Sequence, residues 1–324
     1  MHILITGGAG YIGSVMTRFL RDAGHAVTVL DNLSEGHRDA VPESVPFIEA
    51  DISTIAAVIR PEDHIDAIVH LAAYIAAGES MTEPEKYWHN NTVGTLRMLD
   101  GLRQLGIKKL VFASTAATYG NPDTIPITED MPTKPTNTYG MTKLAMDMAI
   151  TSECIAHSMA ATSLRFFNVA GAYKDAGERH KNETHIIPIA FDVLAGKRKD
   201  FTLYGNDYPT PDGTCIRDYI HVADLAKAAR LALDTLEPGK HAIYNLGNGK
   251  GFSNQQVIEA IERVTNKKLS VVMGRRREGD PAVLVASSEK AKVELGWEPD
   301  TPELDQIIND AWQFYQAYVL TTRP

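Results

Sequence analysis

Cysteine is nearly missing from this 324-residue chain, which has only Cys154 and Cys215. The two lie far apart and form no metal-ligand spacing. The sequence thus predicts no disulfide framework and no metal, but two free thiols in a reducing cytoplasm. An excess of positive charge is missing too: Lys plus Arg number 32 against 41 Asp plus Glu, a net charge of −9. That balance argues against a general nucleic-acid binder, whose face must be basic, but leaves open a small phosphate ligand held by a few local donors. No apolar run approaches the ~18 residues of a membrane span. The start, Met1-His2-Ile3-Leu4-Ile5, has no charged region leading into an apolar one, so it reads as a strand and not as a signal peptide. Low-complexity tracts, internal repeats and linkers are also missing. The expectation is a cytoplasmic chain that binds neither nucleic acid nor membrane.

What is present is an ordinary globular balance, 44% hydrophobic and 23% charged, in a chain too long for one small core. Short apolar runs recur at 2–6, 26–30, 45–50, 67–71, 109–114 and 162–167, separated by helical patterns such as 12–23, 87–104 and 140–157. Strands alternating with helices predict an α/β fold, a Rossmann-like doubly wound parallel sheet. After Asn168 the rhythm breaks. Residues 170–215 read as a cap with loops, helical periodicity returns at 223–233, and a strand is expected at 242–246. Beyond 252 the pattern gives a helix over 253–264, a strand over 269–273 and a helix over 303–318. The predicted division is a dinucleotide-binding domain over 1–169, to which 217–247 returns, and a discontinuous smaller C-terminal lobe over 170–324.

The first strand runs into Gly7-Gly8-Ala9-Gly10-Tyr11-Ile12-Gly13. Glycines at 7, 10 and 13 turn the chain tightly, admit a pyrophosphate against the backbone and let a helix pack close to the sheet, its first N–H groups facing the phosphates. Asp31 ends the second strand, followed by Asn32. Its carboxylate suits the two adenosine ribose hydroxyls and would repel a 2′-phosphate, so NAD is favoured over NADP. A plain turn-starting aspartate is the alternative. Asp51-Ile52 follows the third strand, where an acid could meet the adenine amino group or simply cap a helix.

Tyr139 and Lys143 stand four apart at the start of a helix, on one face. An ammonium near a phenol favours the phenolate, drawing its pKa from ~10 towards the working pH. Such a tyrosine can exchange a proton with a substrate hydroxyl while a hydride moves to a cofactor. The spacing alone arises often by chance, but Ser114-Thr115 ends the preceding strand, where a hydroxyl can bridge to the same oxygen.

Here the chain resembles the extended short-chain dehydrogenase/reductase superfamily, whose Ser/Thr–Tyr–Lys triad would fall on Thr115, Tyr139 and Lys143. Within it, Phe112-Ala113-Ser114-Thr115-Ala116-Ala117 is similar to the UDP-glucose 4-epimerases; the related dehydratases carry an Asp-Glu pair where Ala116-Ala117 stands. The likeness extends over nearly the whole chain, through His70-Leu71-Ala72-Ala73, Gly78-Glu79-Ser80, Asn90-Asn91-Thr92, Leu164-Arg165-Phe166-Phe167-Asn168, 204–222 and Arg277-Glu278-Gly279-Asp280. It implies that Leu71, Ala72, Ala73, Asn90 and Phe167 join the NAD site. It also implies that Asn168, His185, Ile186, Thr202, Tyr204, Arg217, Arg277 and Asp280, with Thr115 and Tyr139, hold a UDP-sugar. Arginine forks suit a pyrophosphate and a carboxylate suits ribose hydroxyls. On its own, His185 would more simply be structural, and Arg275 and Arg276 a solvated basic patch.

The implied reaction interconverts UDP-galactose and UDP-glucose through a 4-keto sugar that turns over in the pocket; the alternatives are 4-epimerisation of another UDP-sugar, an N-acetylhexosamine or a pentose, and a non-catalytic NAD-binding regulator. A homodimer, formed through the helices over 87–104 and 140–157, is implied by resemblance alone. Three positions depart from the family pattern. Ile75 stands where a lysine is frequent, Asn137-Thr138 stands where a proline commonly precedes the tyrosine, and Leu284 falls on the sugar-pocket gate.

Overall fold

The computed structural model describes residues 1–276 and 280–321. Strands β1 (His2–Thr6), β2 (Ala26–Asp31), β3 (Phe47–Glu49), β4 (Ala67–His70), β5 (Lys109–Thr115) and β6 (Ala160–Phe166) form a parallel sheet in the order β3-β2-β1-β4-β5-β6. His241–Leu246 adds a seventh strand beside β6, with Leu246 opposite Phe166. The strands carry nearly unbroken apolar runs because both faces are covered. Ile3 and Ile5 enter one core and Leu4 the other, all fully buried, as the two-residue period of a strand requires. Helices α1 (Tyr11–Asp22) and Val222–Asp234 contribute Val15, Met16, Leu20, Leu225 and Ala229 to the first core. Helices Thr95–Leu105 and Thr138–His157 contribute Met98, Leu102, Met146 and Ile150 to the second. The chain reverses its direction of travel across the sheet between β1 and β4, and at that switch point a crevice opens beyond the strands' C-terminal ends.

Two expectations need correction. The helix expected over 87–104 is not continuous: an α-helical turn Pro84–Tyr87 leads into a π-helical stretch Trp88–Gly94 before the regular helix starts at Thr95. In that stretch the Asn91 amide accepts from the Tyr74 backbone N–H and donates to the Tyr74 carbonyl, both at 2.9 Å, tying the helix to the loop after β4. The stretch 170–215 also holds more than loops. Ile186–Leu194 is a helix whose Pro188 sits in the first turn, where its missing N–H costs no intrahelical bond.

The smaller lobe has its own core, in which Phe191, Trp312 and Tyr315 pack with ring centroids 4.9–5.7 Å apart. Its strands are short. Phe201–Tyr204 pairs with Val271–Gly274, and Ile216–Arg217 lies between Phe252–Ser253 and Val283–Leu284. Asn168–Ala170 pairs with Tyr219–His221. The whole is an α/β protein, a doubly wound parallel sheet carrying small C-terminal sheets.

Candidate active site

The turn after β1 fits a phosphate because it leaves no room for side chains. Gly7 has φ +74°, and a Cβ there would lie 2.6 Å from the Ala72 backbone nitrogen at the end of β4. A Cβ on Gly13 would lie 2.1 Å from the Gly7 carbonyl oxygen. Helix α1 follows Gly10 with no side chain capping its first N–H groups, which leaves that end suited to an anion. Behind the turn, the buried Asp31 carboxylate accepts from the N–H groups of Ala9 (3.0 Å) and Leu33 (2.8 Å). Burial raises its pKa and these two donors partly offset the rise. Asp51 does cap a short helical turn, accepting from Ser53 N–H at 2.9 Å, and its other oxygen receives the Asn32 amide at 3.1 Å. Cap and cavity wall are therefore the same residue.

Thr115 ends β5 and accepts from Ala117 N–H at 3.2 Å, turning the chain away from the sheet. Helix Thr138–His157 packs against this turn so closely that a Cβ on Gly140 would meet the Ala117 carbonyl oxygen at 2.6 Å. Asn137 caps the helix by accepting Gly140 N–H at 2.8 Å. Ser80 accepts Tyr139 N–H at 3.1 Å and fixes the same end to the loop after β4. The Thr115 side chain acts on the Tyr139 phenol in the direction that favours its ionisation. Lys143 donates to the Ala113 carbonyl at 2.8 Å, its ammonium 4.9 Å from the centre of the Phe112 ring.

The expected lowering of the tyrosine pKa is not found in the protein alone. Burial pushes Tyr139 up to about 12 against the opposing effect of Thr115, and brings Lys143 down to about 8 against the opposing effect of Asp147. A desolvated phenol resists ionisation more than its neighbours relieve it.

Asp147, one turn beyond Lys143, was not singled out in the sequence, although its i+4 spacing puts it on the same face. It accepts from Ser114 (3.0 Å) and from Arg165 (3.1 Å), and Arg165 donates to the Tyr119 hydroxyl at 2.8 Å. The Tyr119 hydroxyl donates in turn to the Asn245 side-chain carbonyl at 2.8 Å. This fully buried chain locks β5, the helix Thr138–His157, β6 and the strand His241–Leu246 beneath the site.

The glycine turn, Asp31, Thr115, Tyr139 and Lys143 open onto one cavity of about 960 Å³. Its wall includes Gly7, Gly10, Tyr11, Ile12, Gly13, Asp31, Asn32, Asp51 and Ile52 from the connections that follow β1, β2 and β3. Leu71, Ala72, Ala73, Asn90, Thr115, Tyr139, Lys143 and Phe167 stand in the middle, and Asn168, His185, Ile186, Thr202, Tyr204, Arg217 and Asp280 at the far end. There Arg217 and Asp280 pair at 2.8 Å, an arginine fork already oriented by a carboxylate. Arg277 lies outside the described residues. Arg276 is not simply solvated: its guanidinium stacks 4.2 Å over the Tyr208 ring and pairs with Asp207. Leu284 is not part of the wall; it packs beside Phe167 and Ala116, next to the turn after Thr115. Ile75 does line the cavity, presenting an apolar side chain there.

Residues 3–247 match the model of the NAD dependent epimerase/dehydratase family. The chain is similar to the UDP-glucose 4-epimerase of Corynebacterium glutamicum, 52% identical over 317 residues that cover 98% of this chain and 96% of that protein. Its fold matches the UDP-glucose 4-epimerase from Brucella ovis in complex with NAD at TM-score 0.92 and 40% identity, over 97% and 98% of the two chains. The UDP-glucose 4-epimerase from Bifidobacterium longum in complex with NAD+ and UDP matches at TM-score 0.91 and 33% identity, over 98% and 99%. Identity of this extent, over a sheet and a glycine turn of this design, leaves one conclusion: the chain belongs to the NAD-dependent epimerase/dehydratase family.

Proposed function

We propose that this chain interconverts UDP-galactose and UDP-glucose by epimerisation at C4, with NAD as its cofactor. The observation that carries the reading is a single cavity. It joins the glycine turn and Asp31 to Thr115, Tyr139 and Lys143, and these to Arg217 and Asp280. Ala116 and Ala117 offer no carboxyl group for eliminating water, which separates the site from a dehydratase. Gly7, Gly10 and Gly13 would leave space for the pyrophosphate, Asp31 would accept from the adenosine ribose hydroxyls, and Asp51 with Ile52 would hold the adenine. When bound, NAD supplies the reversible electron-pair acceptor that carries C4 through a keto state.

The protein's own part is proton management. Tyr139 takes the proton of the sugar 4-hydroxyl and returns it to the 4-keto oxygen once the sugar has turned over. Thr115 holds the phenolic oxygen in line, and Lys143 supplies positive charge that lowers the energy of the phenolate. Arg217 and Asp280 would grip the nucleotide while the sugar turns, aided by Asn168, Thr202, Tyr204, Ile186 and His185. A Tyr139→Phe protein should lose at least ~100-fold in rate. The assay is incubation with UDP-galactose and no added cofactor, with UDP-glucose as the product. Near wild-type turnover by the variant would sink the assignment, as would NADH accumulating with the wild type.

We further propose that residues 1–169 with 217–247 hold the cofactor and that the rest of 170–324 shapes the sugar pocket. A homodimer is supported by an apolar face on the two helices beside the catalytic turn. Leu96, Met148 and Ile155 are 43%, 65% and 77% exposed there, more than an isolated surface favours. Ile155→Glu should halve the mass seen by light scattering; a monomeric wild type would end this reading. No described helix is long and apolar enough to cross a membrane, and both cysteines are free and buried, which fits the cytoplasm.

A further inference from the structure

Between the small strand Ala176–Gly177 and the helix Ile186–Leu194, the chain forms a loop against the cavity wall. Four of its side chains converge. His185 Nδ1 lies 2.8 Å from Glu178 Oε1 and 2.9 Å from Glu183 Oε1. His180 Nδ1 lies 3.2 Å from Glu178 Oε1 and 3.5 Å from Glu183 Oε2. One donor atom from each residue falls within 4.8 Å of all the others. A tetrahedral site with bonds of about 2.0–2.1 Å has donor atoms roughly 3.3 Å apart, so these edges scatter about that value.

A second observation points to a ligand at the centre. His180 Nδ1 is buried and has no hydrogen-bond partner, although carboxylate oxygens flank it on two sides. Neither oxygen lies in line with an N–H, whereas a lone pair directed at a shared cation needs no such alignment. The carboxylates of Glu178 and Glu183 are themselves only 11% and 10% exposed. Two buried carboxylates side by side repel each other unless a positive charge lies between them.

We infer that Glu178, His180, Glu183 and His185 form a closed four-donor site for a divalent cation of the zinc class. Two imidazoles and two carboxylates neutralise such an ion and suit zinc better than the all-oxygen shells of magnesium or calcium. Four protein donors leave no open position, so the ion is structural. It fastens the loop at the point where the loop reaches across to the cofactor side. Arg179 grips Asp39 with both arms of its fork, at 2.6 and 2.9 Å, and Lys181 donates to the carbonyls of Leu33 and Ser34. Those partners follow Asp31 in the chain, so the clamp fixes one wall of the cavity against the adenosine end. The sequence predicted no metal because its cysteines have no ligand spacing. The Glu-x-His-x-x-Glu-x-His run that carries this site uses no cysteine at all.

The test needs no activity measurement and stands apart from the epimerase reading. The NAD-bound protein, produced with zinc in the medium and dialysed, should hold about one zinc per chain by elemental mass spectrometry. After chelation, added cobalt(II) should give the intense visible bands of a four-coordinate ion. His180→Ala and Glu183→Gln should each weaken metal binding by at least about 100-fold, more than loss of an outer-shell partner costs. Retained NAD and unchanged far-ultraviolet dichroism show that a variant has folded. If neither folds, the wild type decides alone: chelation should lower its thermal midpoint and zinc should restore it. A wild type that carries no zinc and takes up no cobalt overturns the site, leaving two protonated imidazoles as the charge between the carboxylates. Variants that retain metal at the wild-type level overturn it as well.

Discussion

The two ends of the cavity are built by different means. At the cofactor end the shape belongs to the backbone: glycines that admit no Cβ, an uncapped helix start, and an aspartate held by two main-chain N–H groups. At the sugar end the shape belongs to side-chain tips on two-residue strands and loops, such as the Arg217–Asp280 pair. A backbone cradle has no soft degree of freedom, so a substitution there acts through sterics and its effect is nearly all-or-none. A wall of side-chain tips can re-aim, so substitutions there should act in steps. The contrast can be broken by variants on either side of it.

The largest effect is expected at Gly13. Its added methyl group would meet the backbone at Gly7 and Gly8, at 2.1–2.8 Å, and not a side chain able to swing aside. Gly13→Ala must push α1 away from the sheet, opening the turn that faces the phosphates. Purified protein should carry no NAD, with affinity for added NAD reduced more than 100-fold, a loss above about 2.7 kcal/mol. Release of the nucleotide on denaturation, followed by its absorbance, measures this. Retention of stoichiometric NAD would show that the cradle yields, and the contrast would fail at its strongest point.

The next effect is a gain. Lys143 is buried, and its pKa falls from the ordinary 10.5 to about 8, mainly through desolvation. That drop corresponds to roughly 3 kcal/mol spent on holding an ammonium in the core. Lys143→Met removes the charge while keeping most of the volume. It leaves the Ala113 carbonyl without its donor, at a cost of about 1 kcal/mol, so the net gain should be around 2 kcal/mol at pH 7. The pH dependence has a fixed sign. Below about pH 8 the lysine is charged both folded and unfolded, and the full penalty is present. Between 8 and 10.5 the unfolded chain binds the extra proton, so wild-type stability rises with pH and the variant's advantage fades. Thermal melts at pH 7 and pH 10 read both quantities. The same variant should have lost its epimerase activity, which makes the lysine a group kept for chemistry against stability. Equal melting temperatures at both pH values would refute it.

The same contrast governs what could be read from the sequence. The glycine turn, Asp31 and the Tyr139–Lys143 pair lie within continuous elements whose periodicity shows where each side chain points. The parallel sheet of β1 to β6, covered on both faces, follows from strands alternating with helices. The π-helical stretch at Trp88–Gly94 left no trace, because its apolar spacing imitates an ordinary helix, and the Asn91–Tyr74 bonds within it join segments far apart in sequence. The rise in the Tyr139 pKa was missed for a related reason. Spacing shows that a lysine is near, but burial, which dominates, is a property of the assembled fold. Asp147 could have been found from its i+4 relation to Lys143. Its buried partner Arg165 comes from β6 and could not. At the sugar end Arg217 and Asp280 were named only through resemblance, since strands two residues long carry no period.

The smallest effect should come from Arg217, and it tests the soft side of the contrast. Its guanidinium donates to Asp280 at 2.8 Å and to the Ile216 carbonyl at 2.9 Å, so two arms are occupied by the protein and the rest of the fork is oriented for a ligand. Arg217→Lys keeps the positive charge and most of the stem. It loses the planar fork, which is what reads a pyrophosphate with two parallel bonds. If the side-chain wall works by graded contacts, KM for UDP-galactose should rise about tenfold, near 1.4 kcal/mol, while kcat changes by no more than a few-fold. NAD content should be untouched, because nothing in the cradle depends on this residue. Loss of NAD from Arg217→Lys would mean the two ends are coupled through the cavity. A fall in kcat with KM unchanged would move Arg217 from holding the nucleotide to stabilising the transition state. Either result would replace the division between a rigid and an adaptable end with a single cooperative site.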